Sequence, residues 1–188
     1  MDLVIKSRSI RRFHEDIPVS YESLKAIINL ARFCPSAQNF QPIRFYISCS
    51  YENNERIFPC LTWPKFGNWT CPLPGERPPA YIVLLGDYRA ASSFGLDAGI
   101  AAQTILLGAA EAGLAGCLMA SIDRDRLRQN LSIPDQFKVL LVLALGQPAE
   151  EVVIEPVGTD GSIQFWREPE GILHVPKWDL QDLIVDFS

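Results

Sequence analysis

The chain has 188 residues and little of what many catalytic chemistries need. Its histidines are His14 and His174, too few and too far apart for a histidine-rich metal site. Its five cysteines, Cys34, Cys49, Cys60, Cys71 and Cys117, are odd in number, widely spaced and without a C-x-x-C pair. That argues against a zinc site or redox dithiol and for free thiols in a reducing cytoplasm. A Cys–His nucleophile pair stays open. No stretch approaches the roughly 20 apolar residues that span a bilayer; the most apolar run, Val139 to Leu145, is strand-sized. The opening Met-Asp-Leu-Val-Ile-Lys-Ser-Arg has no apolar run of signal-peptide length. The expectation is a cytoplasmic protein with no membrane partner, in which Asn68-Trp69-Thr70 matches the glycosylation pattern by chance. There is no G-x-G-x-x-G after a strand, no phosphate-binding P-loop and no G-x-S-x-G elbow. Seventeen basic against 22 acidic residues give a net charge of −5. That argues against nucleic acid as a partner but leaves room for a local basic pocket.

What is present is ordinary globular material, 48% hydrophobic and 21% charged. A chain of this size buries roughly 70% of its unfolded surface and needs no metal or disulfide to fold. One domain over 1–188 is expected, with 149–188 as a polar, extended C-terminal arm carrying Trp166 and Arg167. Ser20 can cap a helix whose Leu24, Ile27, Ile28 and Ala31 share one face. Ile43, Phe45, Ile47 and Cys49 alternate with Arg44, Tyr46 and Ser48, predicting a half-buried strand. Residues 50 to 79 lack clean periodicity and are proline-rich. Trp63, Phe66 and Trp69 there read either as a lid over something flat or as a satellite hydrophobic cluster. Ala80 to Gly86 reads as a buried strand. A long helix capped by Ser92 or Ser93 then runs to about Ala112. It is small and apolar nearly all round, with Leu96, Ile100, Gln103, Leu107 and Ala110 on one stripe. Such a helix needs burial on every side, and a second subunit is one way to supply it. A short strand over Cys117–Ala120, a helix capped by Asp123, a strand over Lys138–Leu145 and a helical turn over Leu180–Ile184 complete the order. The pattern is α+β or α/β rather than a clean βαβ ladder.

Two segments carry chemistry. Lys6-Ser7-Arg8-Ser9-Ile10-Arg11-Arg12 is basic. Read as helix, it sets Arg8 one turn from Arg11 or Arg12 with the Ser9 hydroxyl between them. Guanidiniums so spaced suit a phosphate dianion; a solvated basic face is the other reading. Pro35-Ser36-Ala37-Gln38-Asn39-Phe40-Gln41-Pro42 lies between a helix and a strand. Short hydrogen-bonding side chains held between prolines can read the edge of a heterocycle or a ribityl chain. A connection that happens to be polar is the alternative.

Together these segments resemble the FMN-dependent nitroreductase family. So, in order, do Gly113-Leu114-Ala115-Gly116, Leu143-Ala144-Leu145-Gly146-Gln147-Pro148 and His174-Val175-Pro176-Lys177. The resemblance covers most of the chain. It implies an α+β fold with a central mixed, mostly antiparallel sheet flanked by helices, in an intertwined homodimer. It implies FMN at the subunit interface, with Arg8, Ser9, Arg11 and Arg12 toward the phosphate and ribityl. Pro35, Ser36, Ala37, Asn39 and Gln41 would reach the flavin from the partner. Leu118 and Met119 would run along the ring, offering backbone groups, and Lys177 would add a basic phosphate ligand. The implied activity is ping-pong hydride transfer from NAD(P)H to small electron-poor acceptors such as nitroaromatics and quinones. Flavin breakdown, dehalogenation or flavin binding without catalysis are the alternatives on this scaffold. No catalytic side chain is assigned, because solvent can protonate the product. Ser7, Ile43, Trp178 and Ala120-Ser121 depart from the family pattern.

Overall fold

The computed structural model describes residues 2–64, 72–168 and 171–187. After the short helix α1 (Asp2–Lys6), α2 (Tyr21–Ala31) begins where the Ser20 hydroxyl accepts the Ser23 N–H at 3.0 Å. Leu24, Ile27 and Ala31 are buried, on the face that the spacing predicts. β1 (Ile43–Ser48), α3 (Tyr51–Ile57), β2 (Ala80–Asp87), α4 (Gly95–Glu111), β3 (Ala115–Met119), α5 (Arg124–Leu131) and β4 (Phe137–Gly146) follow. The strands form one sheet in the order β1-β2-β4-β3, every pair antiparallel. Neighbouring residues of a strand face opposite sides, so β2 serves two cores. Tyr81 and Val83 pack with Ile57 of α3 and Leu127 of α5. Ile82 and Leu84 pack with Leu24 and Ile27 of α2 and with Ala102 and Ile105 of α4. All of β2 is therefore buried. The fold is α+β, as expected.

Several local expectations need correction. The basic segment is not helical. α1 ends at Lys6, and the chain then runs extended: Ser9 bridges Gly116 in parallel and Phe13 bridges Pro148 antiparallel. Burial of Ile10 and Phe13 outweighs helical continuation. Residues 51–57 form α3, which the periodicity does not show. Only Ile57 and Asn54 of that helix are buried, and the Ser50 cap, accepting the Asn53 N–H, carries the signal. Ser48 is buried rather than solvent-facing, because its hydroxyl donates to Asn54 Oδ1 at 2.7 Å. α4 starts at Gly95 with the buried ring of Phe94 at the capping position and no side-chain cap from Ser92 or Ser93.

The C-terminal segment is extended, but it is paired with itself. β5 (Val152–Pro156), β6 (Trp166–Arg167) and β7 (Leu173–Lys177) form a second sheet in the order β5-β7-β6, with β5 and β7 parallel. The Trp166 indole stacks on His174 at 3.9 Å between centroids. The Glu155 carboxyl accepts from the indole N–H at 2.8 Å and meets His174 Nδ1 at 3.0 Å. The indole and the imidazole lower the Glu155 pKa, the indole most. α6 (Leu180–Leu183) closes the order. No helix among the described residues is long and apolar enough to cross a membrane.

Candidate functional site

The basic segment lies along the edge of β3. The Ile10 N–H donates to Gly116 O at 3.0 Å, and Gly116 has no room for a side chain. A Cβ there would meet Ala144 O and Leu145 Cδ2 at 2.7 Å. Arg8 lines a cavity of about 330 Å³ with Lys6, Gly113, Leu114 and Glu150. Its Nη2 donates to Val4 O, and its Nε is buried without a protein partner. Arg11 reaches Ser9 O at 3.3 Å and also lies beside Cys117. Burial raises the Cys117 thiol pKa, against the opposing pull of the Arg11 charge. Arg12 turns away: its Nε donates to Glu76 Oε1 at 2.9 Å and the pair is a salt bridge. Arg12 is thus engaged with the 72–79 loop, not with the Arg8 cavity.

The turn between the prolines is pinned to the other end of α4. The Ser36 hydroxyl donates to Asp97 Oδ2 at 3.0 Å and accepts the Gln41 N–H at 2.9 Å. The Ala37 N–H reaches Asp97 Oδ1 at 3.4 Å. Asp97 sits in the first turn of α4, where the helix dipole favours a carboxylate. A 3-10 turn, Ala37–Asn39, follows, and Gln38, Asn39 and Gln41 all have positive φ. Left-handed backbone at non-glycine residues costs of order 1–3 kcal/mol each and gathers at binding sites. The Gln41 side chain donates to Asn39 Oδ1 at 3.0 Å. Past Pro42, the Asp87 N–H donates to Pro42 O at 2.9 Å, and the Asp87 carboxylate holds Arg89 at 2.8 Å and Arg44 at 3.6 Å. Beside the turn lies a cavity of about 600 Å³, walled by Lys25, Asn29, Ser36, Arg44, Phe45 and Asp97.

The two segments are therefore apart within one chain. Asp97 holds the turn, and Ala110 lines the cavity of Arg8. These residues lie near opposite ends of α4, about 20 Å apart at 1.5 Å per residue. Leu118 of β3 is half-exposed, whereas Met119 is buried with its sulfur 3.7 Å from Cys117 Sγ. Lys177 stands at the far end of β7 from Leu173, roughly 13 Å along the strand at 3.3 Å per residue. The Leu173 end is the one that meets the basic segment: the site of a Cβ on Gly171 lies 3.6 Å from Arg12 Nη1. Lys177 thus lies at the end of β7 away from the contact of Gly171 with Arg12. Of the three aromatics, Trp63 is buried against Phe58 at 5.8 Å and belongs to the main core with Tyr81 and Val83, rather than to a lid or a satellite cluster. Phe66 and Trp69 lie outside the described residues. Sequence reasoning missed Asp97, Glu76 and Glu150. Only Asp97 left a trace, as the acidic residue in the first turn of a small, apolar helix.

This architecture, with a basic strand at one end of α4 and a strained polar turn at the other, matches a known family. The nitroreductase family model matches residues 5–63 and 74–147. The chain belongs to the nitroreductase family, a family of oxidoreductases. A relative from Archaeoglobus fulgidus named "Putative NADH dehydrogenase/NAD(P)H nitroreductase" is 28% identical over 159 residues, covering 80% of this chain and 86% of its own. Among solved structures, an FMN-dependent nitroreductase from Clostridium difficile is 26% identical with a TM-score of 0.67, covering 80% of this chain and 89% of that one. A nitroreductase family protein from Streptococcus pneumoniae shares the fold at 19% identity and a TM-score of 0.66, covering 87% and 98% of the two chains.

Proposed function

We propose that the protein is an FMN-dependent oxidoreductase that acts as a homodimer and passes electrons from NAD(P)H to small electron-poor acceptors such as nitroaromatics and quinones. The observation that carries this reading is the placement of two half-sites at opposite ends of one helix with an apolar outer face. Leu96 is 81% exposed and Ile100 38%, with Gly99 and Gln103 exposed beside them. Two copies of α4 crossing antiparallel over this face would be an isologous interface. They would bring the Pro35–Pro42 turn of one copy beside the Arg8 strand of the other. The names of the relatives support the cofactor and the electron donor.

The residues suit FMN. The orphaned Arg8 Nε, Lys6 and the Ser9 hydroxyl offer charge and donors to a phosphate. Arg8, Ser9 and Arg11 would hold the phosphate and ribityl chain. Ser36, Ala37, Asn39 and Gln41, prefolded against Asp97, would meet the ring from the other copy with little ordering cost. Leu118 would pack on the ring while the β3 backbone offers polar groups. FMN, when bound here, would supply the hydride chemistry between nicotinamide and acceptor. The chain's own part is to bind, orient and shield that reaction. In this reading 1–188 is one unit with 149–188 as its arm, and the free thiols of Cys34, Cys49, Cys60 and Cys117 fit a cytoplasmic setting. An absorbance spectrum of the purified, FMN-supplemented protein tests the proposal, followed by anaerobic NADH or NADPH and then a nitroaromatic. Bound flavin bands, bleached by one nicotinamide and restored by the acceptor, are expected. Failure of both nicotinamides to bleach bound flavin would end the reductase reading.

A further inference from the structure

We propose that Glu150 is a positioning residue for the basic segment and that Arg167 completes the device; this rests on the reading of Arg8–Arg12 as the phosphate-binding strand. Glu150 lies between β4 and β5, and its side chain is fully buried. One carboxyl oxygen accepts two successive backbone N–H groups, those of Arg11 and, at 3.1 Å, Arg12. The other accepts from Arg167 Nη2 of β6 at 2.6 Å. Arg167 also donates to Gly171 O, which ties it to the β6–β7 connection. The flanking backbone adds Ala149 N–H to Arg12 O at 2.9 Å and His14 N–H to Gln147 O at 3.0 Å. On the opposite edge Ile10 is held by Gly116.

Two consequences follow from this geometry. Consecutive N–H groups converging on one acceptor form a concavity that suits an anion, and here the chain fills it with its own carboxylate. An incoming phosphate is therefore left to side chains, and Glu150 decides where those side chains point. Neighbouring residues of an extended segment project to opposite sides. With the backbone pinned at Arg11 and Arg12, the Arg12 guanidinium goes to Glu76 and that of Arg11 to the Ser9 and Cys117 side. A carboxylate beneath a phosphate site would also repel the dianion. The Arg167 guanidinium offsets that charge, so the second sheet contributes to the site without touching the ligand.

FMN and riboflavin share ring and ribityl chain and differ in the phosphate, so the ratio of their dissociation constants reads this device. In the wild-type protein FMN is expected to bind more tightly than riboflavin. Glu150→Ala releases the backbone at Arg11 and is expected to weaken FMN by about tenfold, the worth of the Arg11 contact it misdirects, with riboflavin nearly unchanged. Selective tightening of FMN, the result of removing the repulsion alone, overturns the proposal. Arg167→Gln keeps the carboxylate and removes its counter-charge. It is expected to weaken FMN selectively, and more so at low salt, where screening is least. A structural role alone would move both ligands together or neither, and either outcome overturns the proposal. Should Glu150→Ala not fold, an unchanged FMN-to-riboflavin ratio in Arg167→Gln is sufficient to overturn it. Wild-type protein that binds neither flavin sinks the flavin reading itself; normal binding with unshifted ratios in the variants sinks only the role of Glu150.

Discussion

Asp87 shows how a buried charge is kept at the end of a strand. Its side chain is 2% exposed, yet it carries two arginines, and hydrogen bonds from Arg89 lower its pKa to about 2. A carboxyl whose folded pKa lies below its unfolded value of about 3.9 stabilises the fold fully above that value. The contribution is lost as pH falls through about 2. The melting temperature of wild type should therefore exceed that of Asp87→Asn at neutral pH, and the gap should close between pH 4 and pH 2. A gap that stays constant over that window would refute the assignment. Arg11 belongs to the same scale. Removing its guanidinium in Arg11→Ala should weaken FMN by about 1.5–3 kcal/mol, the worth of a charge-assisted contact. Equilibrium titration followed by flavin fluorescence measures this, and unchanged affinity would remove Arg11 from the site.

Among the elements, the joint between α4 and β3 depends on glycine twice. Gly113 has φ +74 at the turn, and Gly116 faces the Ala144 carbonyl where β3 meets β4. Gly116→Ala should destabilise the protein by about 1–3 kcal/mol through overpacking, read as a lower midpoint in urea. It should also loosen the Ile10 contact and with it the basic strand. A variant as stable as wild type would show that the strands part easily there. Elements with caps and one apolar face were legible in the sequence. α2 follows Ser20, and α5 follows Asp123, whose carboxyl accepts the Arg126 N–H at 3.1 Å. α3 was not legible, because it contributes little apolar surface. The basic strand misled the helical reading for a different reason. Spacings of three and four residues look helical, but Ile10 and Phe13 are drawn into the core and extend the chain.

At the scale of the whole molecule, the outer face of α4 is the feature left over. Leu96→Asp combined with Ile100→Asp puts two charges on that face without touching either core. Size-exclusion chromatography with light scattering should show a dimer for wild type and a monomer for the double variant. FMN should be lost with the partner, because the proposed site takes half its residues from each copy. A wild-type monomer that binds FMN would refute the shared site.

By itself the sequence determined the chemistry on offer: guanidiniums and a hydroxyl in one stretch, amides and hydroxyls between two prolines in another, and no metal or nucleophile motif competing with them. It also determined where α2 and α5 start, because caps and apolar periodicity act over a few residues. Tertiary structure alone decided what each group does. Arg12 is taken by Glu76, Glu150 is drawn to the backbone of the basic strand, and Arg167 of β6 is brought to Glu150. The contacts of Glu150 with Arg11 and Arg12 join residues more than a hundred positions apart. Burial and sheet register set them, and neither is written in local spacing.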